Sequence, residues 1–186
     1  MANNNPSDNR IRADNQQGRL DPWWITGFVD GEGCFSISIF KNATTKAGVQ
    51  IFPEFVVTQG AKSLLTLKNL QDYFKCGRIY ENRRKDNHRE SLYRYCVRSK
   101  TDLRGKIIPF FEKYPLNTSK HQDFLLFCKV MDMIESKVHL TSEGLMVIRE
   151  LAASTNRRKT RIWNPQRLYA ELRQCRGRYS PISMAT

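Results

Sequence analysis

The chain has 186 residues, of which 40% are hydrophobic, and a formal net charge of +13 from 31 Lys and Arg against 18 Asp and Glu. This length suits one domain with a full core, and a charge so large would repel itself in a folded domain unless a polyanion shared it, which points to nucleic acid. No apolar run approaches a membrane span, no signal-peptide pattern opens the chain, and Cys34, Cys76, Cys96, Cys128, Cys175, His88, His121 and His139 stand too far apart for a zinc finger or zinc ribbon.

Residues 1–19 are rich in Asn, Gln, Asp and Arg and are expected to form a disordered tail. Asp21-Pro22 then marks a helix start, with Asp able to cap and Pro favoured in the first turn. Helical spacing places Ile25, Phe28 and Val29 on one apolar side and Gly27 on the opposite side. A mid-helix Gly costs about 1 kcal/mol relative to Ala, a cost that close approach of a second helix would explain. Gly31 and Gly33 are expected to end the helix and to leave Glu32 at its foot. Hard divalent cations bind carboxylate and backbone carbonyl oxygens, and such a position suits them.

Residues 34–40 alternate as a half-buried strand, with Phe35, Ile37 and Ile39 facing one way and Ser36, Ser38 and Phe40 the other. A second strand is expected over 49–59, with Ile51, Phe55 and Val57 inward, Gln50, Glu54 and Thr58 outward, and Pro53 marking an edge or a bulge. Residues 62–75 read as a helix with the stripe Leu65, Leu67, Leu70, Tyr73 and Phe74. Strands over 77–82 and 91–99 flank a polar loop, and helices follow over 101–113, 119–136 and 141–156. Asn164-Pro165 begins a short helix over 166–174. Hairpins separated by helices indicate an α+β domain whose helices cover one face of an antiparallel sheet. The other face is then free for the major groove of DNA.

The basic residues are concentrated. There are ten Lys or Arg against four acids over 78–106, eight against one over 157–178, and a balanced five against six over 109–156. On the outward strand positions, Ser36, Ser38, Asn42, Gln50 and Glu54 in the first hairpin are hydrogen-bonding types suited to base edges. Tyr80, Asn82, Arg84 and Arg94 are their counterparts in the second. Phe40 could meet a thymine methyl, and Lys41 and Lys46 suit phosphate contacts. Arg157, Arg158, Lys159 and Arg161 would clamp the backbone.

The run Ile25-Thr26-Gly27-Phe28-Val29-Asp30-Gly31-Glu32-Gly33 resembles the motif of the LAGLIDADG homing endonucleases. Pro53-Glu54-Phe55-Val56-Val57-Thr58-Gln59 is similar to the end of that family's second strand. The stretch 107–116 followed by Lys120 is similar to its segment ending in an active-site lysine, and 151–159 to the end of its last core helix. The resemblance spans residues 24–161 in consistent order. It implies the αββαββα fold with a saddle-shaped antiparallel sheet, an endonuclease domain over 20–161, and a basic extension with a short helix over 162–186.

It further implies a site-specific, intron-homing type DNA endonuclease that cuts both strands and leaves short 3′ overhangs. The carboxylate of Glu32 and the carbonyl of Gly31 would contact Mg²⁺ or Mn²⁺, with Ca²⁺ supporting binding without cleavage. Gln59 would position water, Lys120 would stabilise charge on the phosphate, and Lys62 or Ser63 would supply a further basic or polar group. Asp30 is expected to support the helix end. A single copy of the motif implies a homodimer, packed through Trp24, Gly27, Phe28, Asp30 and Gly31 and reading a pseudo-palindromic target. An RNA-binding intron maturase and a non-catalytic DNA-binding regulator on the same fold are the competing readings. Location is expected to be intracellular, in an organelle or a bacterial cytoplasm, with no membrane partner. Neutralising Arg157, Arg158 and Lys159 together should shallow the slope of log affinity for duplex DNA against log salt by about 2 to 3 units. Binding titrations at several salt concentrations check this, and an unchanged slope would take the cluster off the DNA.

Overall fold

A computed structural model describes residues 20–45, 48–82 and 91–156. All fall within the unit Met1–Asn156. The expected tail over 1–19, Lys46, Arg84, the cluster Arg157, Arg158, Lys159 and Arg161, and the helix expected over 166–174 lie outside the described residues.

Helix α1 (Pro22–Glu32) starts where the Asp-Pro pair directs it. The Asp21 carboxylate accepts from the backbone N–H of Trp23 at 2.9 Å and of Trp24 at 3.0 Å, which satisfies two donors that the first turn leaves unpaired. Ile25, Thr26 and Val29 form its buried side. Phe28 departs from the expected apolar stripe. It is half-buried and stacks on Trp24 with ring centroids 5.0 Å apart, so it lies at the margin of the opposite side. The helix also runs through Gly31 and stops at Gly33. A Cβ there would stand 2.5 Å from Val29 Cγ1 and 2.9 Å from the Val29 carbonyl oxygen, so only Gly lets the chain turn this tightly into the first strand.

Strands β1 (Gly33–Lys41), β2 (Val49–Gly60), β3 (Arg78–Asn82) and β4 (Leu92–Val97) form one antiparallel sheet in the order β1-β2-β4-β3. The β1–β2 register runs unbroken from Gly33 opposite Val57 to Lys41 opposite Val49, so there is no bulge at Pro53. β4 pairs with β2 only from Phe55 to Gly60. Pro53 therefore lies where β2 is paired on one side only, an edge position of the kind that tolerates Pro.

One face of the sheet carries the core. Phe35 lies with its ring centroid 5.1 to 5.5 Å from those of Phe55, Phe124, Phe111 and Phe127, and Tyr95 and Val57 are fully buried nearby in the sheet. Helix α2 (Leu64–Phe74) adds Leu67, Leu70 and Phe74 to this core. Leu65, expected in the same stripe, is 68% exposed. The helix expected over 101–113 is α3 (Lys100–Asp102), a π-helical turn (Leu103–Ile107) and α4 (Ile108–Lys113) in succession. The wide turn precedes Pro109, whose ring cannot sit against the carbonyl four residues back in a regular helix. Helices α5 (Lys120–Glu135) and α6 (Ser142–Asn156) pack on β1. Thr141 caps α6, its Oγ1 accepting from Gly144 N at 3.0 Å. The αββαββα order is thus present, with further helices on the core face.

Candidate active site and nucleic-acid interface

The end of α1 is tied to the first residue of α5 and to the segment just before it. Lys120, the first residue of α5, donates from Nζ to the carbonyls of Val29 at 2.9 Å and Gly31 at 3.3 Å. These carbonyls belong to the last turn of α1, at the negative end of the helix dipole, and that of Val29 also accepts from the Gly33 N–H. In return, Asp30 accepts from the backbone N–H of Asn117 at 2.8 Å and of Thr118 at 3.3 Å, and from Thr118 Oγ1 at 2.8 Å. Thr118 Oγ1 in turn accepts from Lys120 N at 3.2 Å. Thr26 adds a third tie, donating to the Tyr114 carbonyl at 3.0 Å. Asp30 thus points into its own chain rather than along the open side of α1 where a partner helix was expected to meet it.

The titration of both side chains follows from this contact. Burial pushes the Asp30 carboxyl up, but the bonds from Asn117 and Thr118 and the charge of Lys120 outweigh it and hold the group below its ordinary value. Burial also lowers the Lys120 ammonium, against the opposing charges of Cys34, Asp30, Glu32 and Asp123. Glu32 is exposed at the last position of α1, within the field of that ammonium. Gln59 stands two residues beyond Val57, the partner of Gly33, so it lies at the same end of the sheet as Glu32. It is half-buried, as is Ser63, while Lys62 is exposed. Among the described residues no group of three or more His, Cys, Asp or Glu side chains converges on one point. At this point one chain could offer a cation the Glu32 carboxylate and the Gly31 carbonyl, the latter already accepting from Lys120 Nζ. That set fits a hard cation in kind but leaves most of its coordination to water, phosphate or a second chain.

The side of α1 away from the core is open. Nothing lies within 4 Å of where a Cβ would stand on Gly27 or Gly31. Trp24, 45% exposed, and the half-buried Phe28 border this glycine strip. An apolar, side-chain-poor strip on a helix that is otherwise well packed gives a second backbone room to approach.

The outward face of the sheet carries Ser36, Ser38 and Phe40 on β1, Gln50 and Glu54 on β2, Tyr80 and Asn82 on β3, and Arg94 on β4. Phe40, Lys41, Gln50, Tyr80 and Asn82 are exposed, and Ser36, Ser38 and Arg94 are half-buried. Four of the expected base readers are engaged within the chain, Asn42 with Gln50 and Glu54 with Arg94. Asn42 builds the hairpin turn, its Oδ1 accepting from Thr44 N at 3.0 Å and Thr44 Oγ1 at 2.7 Å and its Nδ2 donating to Gln50 at 3.1 Å. Glu54 is on the expected face but only 8% exposed, because Arg98 Nε donates to it at 2.7 Å and Arg94 Nη2 at 3.4 Å. A carboxylate closed over by two guanidinium groups is not presented to a base edge. Arg98 was not singled out from the sequence, although it continues the outward alternation Arg94, Cys96, Arg98.

Comparison with known proteins places this geometry. The LAGLIDADG endonuclease family profile matches residues 25–131, and the chain belongs to that family. A probable intron-encoded endonuclease of Neurospora crassa is 37% identical over 139 residues, 74% of this chain and 25% of its own length. Among solved structures, the homing endonuclease I-TnaI superposes with a TM-score of 0.69 at 37% identity, over 85% of this chain and 99% of that one. The LAGLIDADG homing endonuclease I-SmaMI bound to cleaved DNA also gives 0.69, at 35% identity, over 90% of this chain and 53% of that one. The chain spans about a quarter of the length of the Podospora anserina and Neurospora crassa relatives it matches. None of the helices among the described residues is long and apolar enough to cross a membrane.

Asp30→Asn should lower stability at neutral pH by on the order of 1 kcal/mol, since a charged acceptor is lost at a partly exposed site. A carboxyl held below its ordinary 3.8 stabilises the fold above that pH and stops doing so as pH falls through the lowered value. The gap between wild type and variant in urea unfolding should therefore close in acid, and a gap that persists there would refute the cap.

Proposed function

We propose that the chain is a site-specific DNA endonuclease that works as a homodimer joined along the glycine strip of α1 and cuts both strands of a pseudo-palindromic target. The observation that carries this reading is the placement of Glu32 at the end of the one helix whose open side is lined by Gly27 and Gly31. Two such helices packed side by side bring two copies of Glu32 together, and with them two carbonyls of Gly31 and two ammonium groups of Lys120. The single donor set on one chain becomes a double one at the seam, opposite the centre of a two-fold target.

Each residue then has a separate task. Glu32 and the Gly31 carbonyl would hold a divalent cation, Mg²⁺ or Mn²⁺, which supplies Lewis-acid stabilisation of the phosphate and of the departing 3′ oxygen. Lys120, fixed by the α1 carbonyls, keeps a positive charge beside the position a scissile phosphate would take. Gln59, at the same end of the sheet, offers an amide to orient the attacking water. The outward sheet face supplies the surface for the duplex, and the basic excess supplies salt-dependent affinity. A structural relative supports the substrate class: the I-SmaMI structure holds cleaved DNA, and this chain covers 53% of the I-SmaMI chain, the share expected if one copy furnishes half of a DNA-binding unit. Short 3′ overhangs are the expected product ends.

Cleavage of a randomised duplex library tests the whole reading, run once with Mg²⁺ and once with Ca²⁺. Cut products with 3′ overhangs should arise with Mg²⁺ alone, and a chain that binds but never cuts under either ion would favour a non-catalytic regulator. Glu32→Gln should abolish cleavage and leave target affinity within a few fold in a Ca²⁺ binding assay. Undiminished cutting by this variant would remove Glu32 from the chemistry. Gly27→Leu should convert the dimer to monomer in sedimentation without lowering helix content, and a dimer of unchanged stability would sink the packing of α1 on its copy.

A further inference from the structure

The middle of the outward sheet face holds a charged cluster with a built shape. Continuing the β2–β4 register one step past the Phe55–Val97 pair sets Arg98 opposite Glu54. Arg98 Nε donates to Glu54 at 2.7 Å. Its guanidinium carbon lies 5.5 Å from the centroid of the Phe52 ring and 5.2 Å from that of Tyr80. Arg94 closes on the other carboxylate oxygen. We propose that Arg98 reads a guanine in the target duplex and that Glu54 is the residue that positions it, with Phe52 and Tyr80 as the walls of the clamp. The proposal rests on the reading that this face meets DNA.

The chemistry of the three parts supports it. Glu54 is nearly buried, and a buried carboxylate persists only where cations pair with it. It is therefore placed to fix its partners rather than to reach a base. Bonding through Nε leaves the two terminal nitrogens of Arg98 outside that contact, and the side chain is still 40% exposed. A planar guanidinium held at one edge and faced by aromatic rings has little rotamer freedom left to lose on binding. Its remaining edge matches the O6 and N7 acceptors that guanine shows in the major groove. One carboxylate against two guanidinium groups also leaves the cluster net positive, as an acceptor-rich partner requires.

The test is selection of a randomised duplex DNA library by the full chain in Ca²⁺, followed by sequencing of bound molecules. Wild type should enrich a motif that contains a guanine preference at one position of each half-site. Arg98→Ala should lose that preference by roughly 10-fold or more and keep the others. Arg98→Lys should not restore it, since an ammonium has neither Nε nor the planar edge. Glu54→Gln should lose the same position, and the double variant should lose no more than either single one, the signature of residues acting as a unit. An unchanged motif in both Arg98 variants overturns the proposal, and it does so even where Glu54→Gln fails to fold in thermal unfolding. A Glu54→Gln loss at a different base pair would make Glu54 a reader in its own right and also overturn it. A wild type that enriches no motif refutes DNA recognition by this face and the inference with it, whereas a wild-type motif untouched by the variants refutes the inference alone.

Discussion

The exchange of charged hydrogen bonds between the end of α1 and the segment leading into α5 is the contact on which the rest of the site depends. Each segment places a charged side chain on backbone groups of the other: Lys120 on the carbonyls of Val29 and Gly31, Asp30 on the N–H groups of Asn117 and Thr118 just before α5. The bonds span some 90 residues of chain, so they close only when the sheet and both helices are in place. Glu32 is the next residue after the Gly31 carbonyl in this knot. Its position is thereby set by the fold as a whole rather than by the flexibility of a helix end.

The domain presents two surfaces of different character. The open side of α1 is apolar and almost without side chains, which suits a second backbone. The outward face of the sheet is polar, charged and aromatic, and its central residues are tied to one another before any ligand arrives. Arg98 between Phe52 and Tyr80, Glu54 beneath Arg94 and Arg98, and Asn42 on Gln50 all restrict side chains that would otherwise sample many rotamers. A surface prepared in this way loses less entropy on binding and discriminates more sharply than a field of free side chains.

Much of this was legible in the chain. Asp21-Pro22 marked the first residue of α1, the alternation of Phe35, Ile37 and Ile39 assigned the core face of β1, and Thr141 marked the start of α6. What periodicity could not carry was contact between distant segments. It placed Glu54 on the outward face but had no means of bringing Arg94 and Arg98 over it, so a buried ion-paired carboxylate was read as a base reader. It placed Asp30 at a helix end without showing that Asn117 and Thr118 come to meet it. Phe28 sits at the boundary between two sides of a helix, where spacing alone decides poorly. Pro109 was the local signal for the π-helical turn, and the hairpin register, which sets Gln50 opposite Phe40 and near Asn42, was the signal for the Asn42–Gln50 pair.

In the proposed homodimer, the glycine strip on α1 would set folding and assembly against each other. Within one chain nothing constrains Gly27 or Gly31, since a methyl group on either would meet no neighbour, and Ala in a helix is favoured over Gly by about 1 kcal/mol. Selection acting on the isolated subunit alone would drift toward Ala at both positions. Glycine at both positions leaves α1 weaker than Ala would, a deficit that the proposed contact with another copy would offset. Variants that raise the melting temperature through these two positions are then the ones to distrust in any effort to engineer the protein.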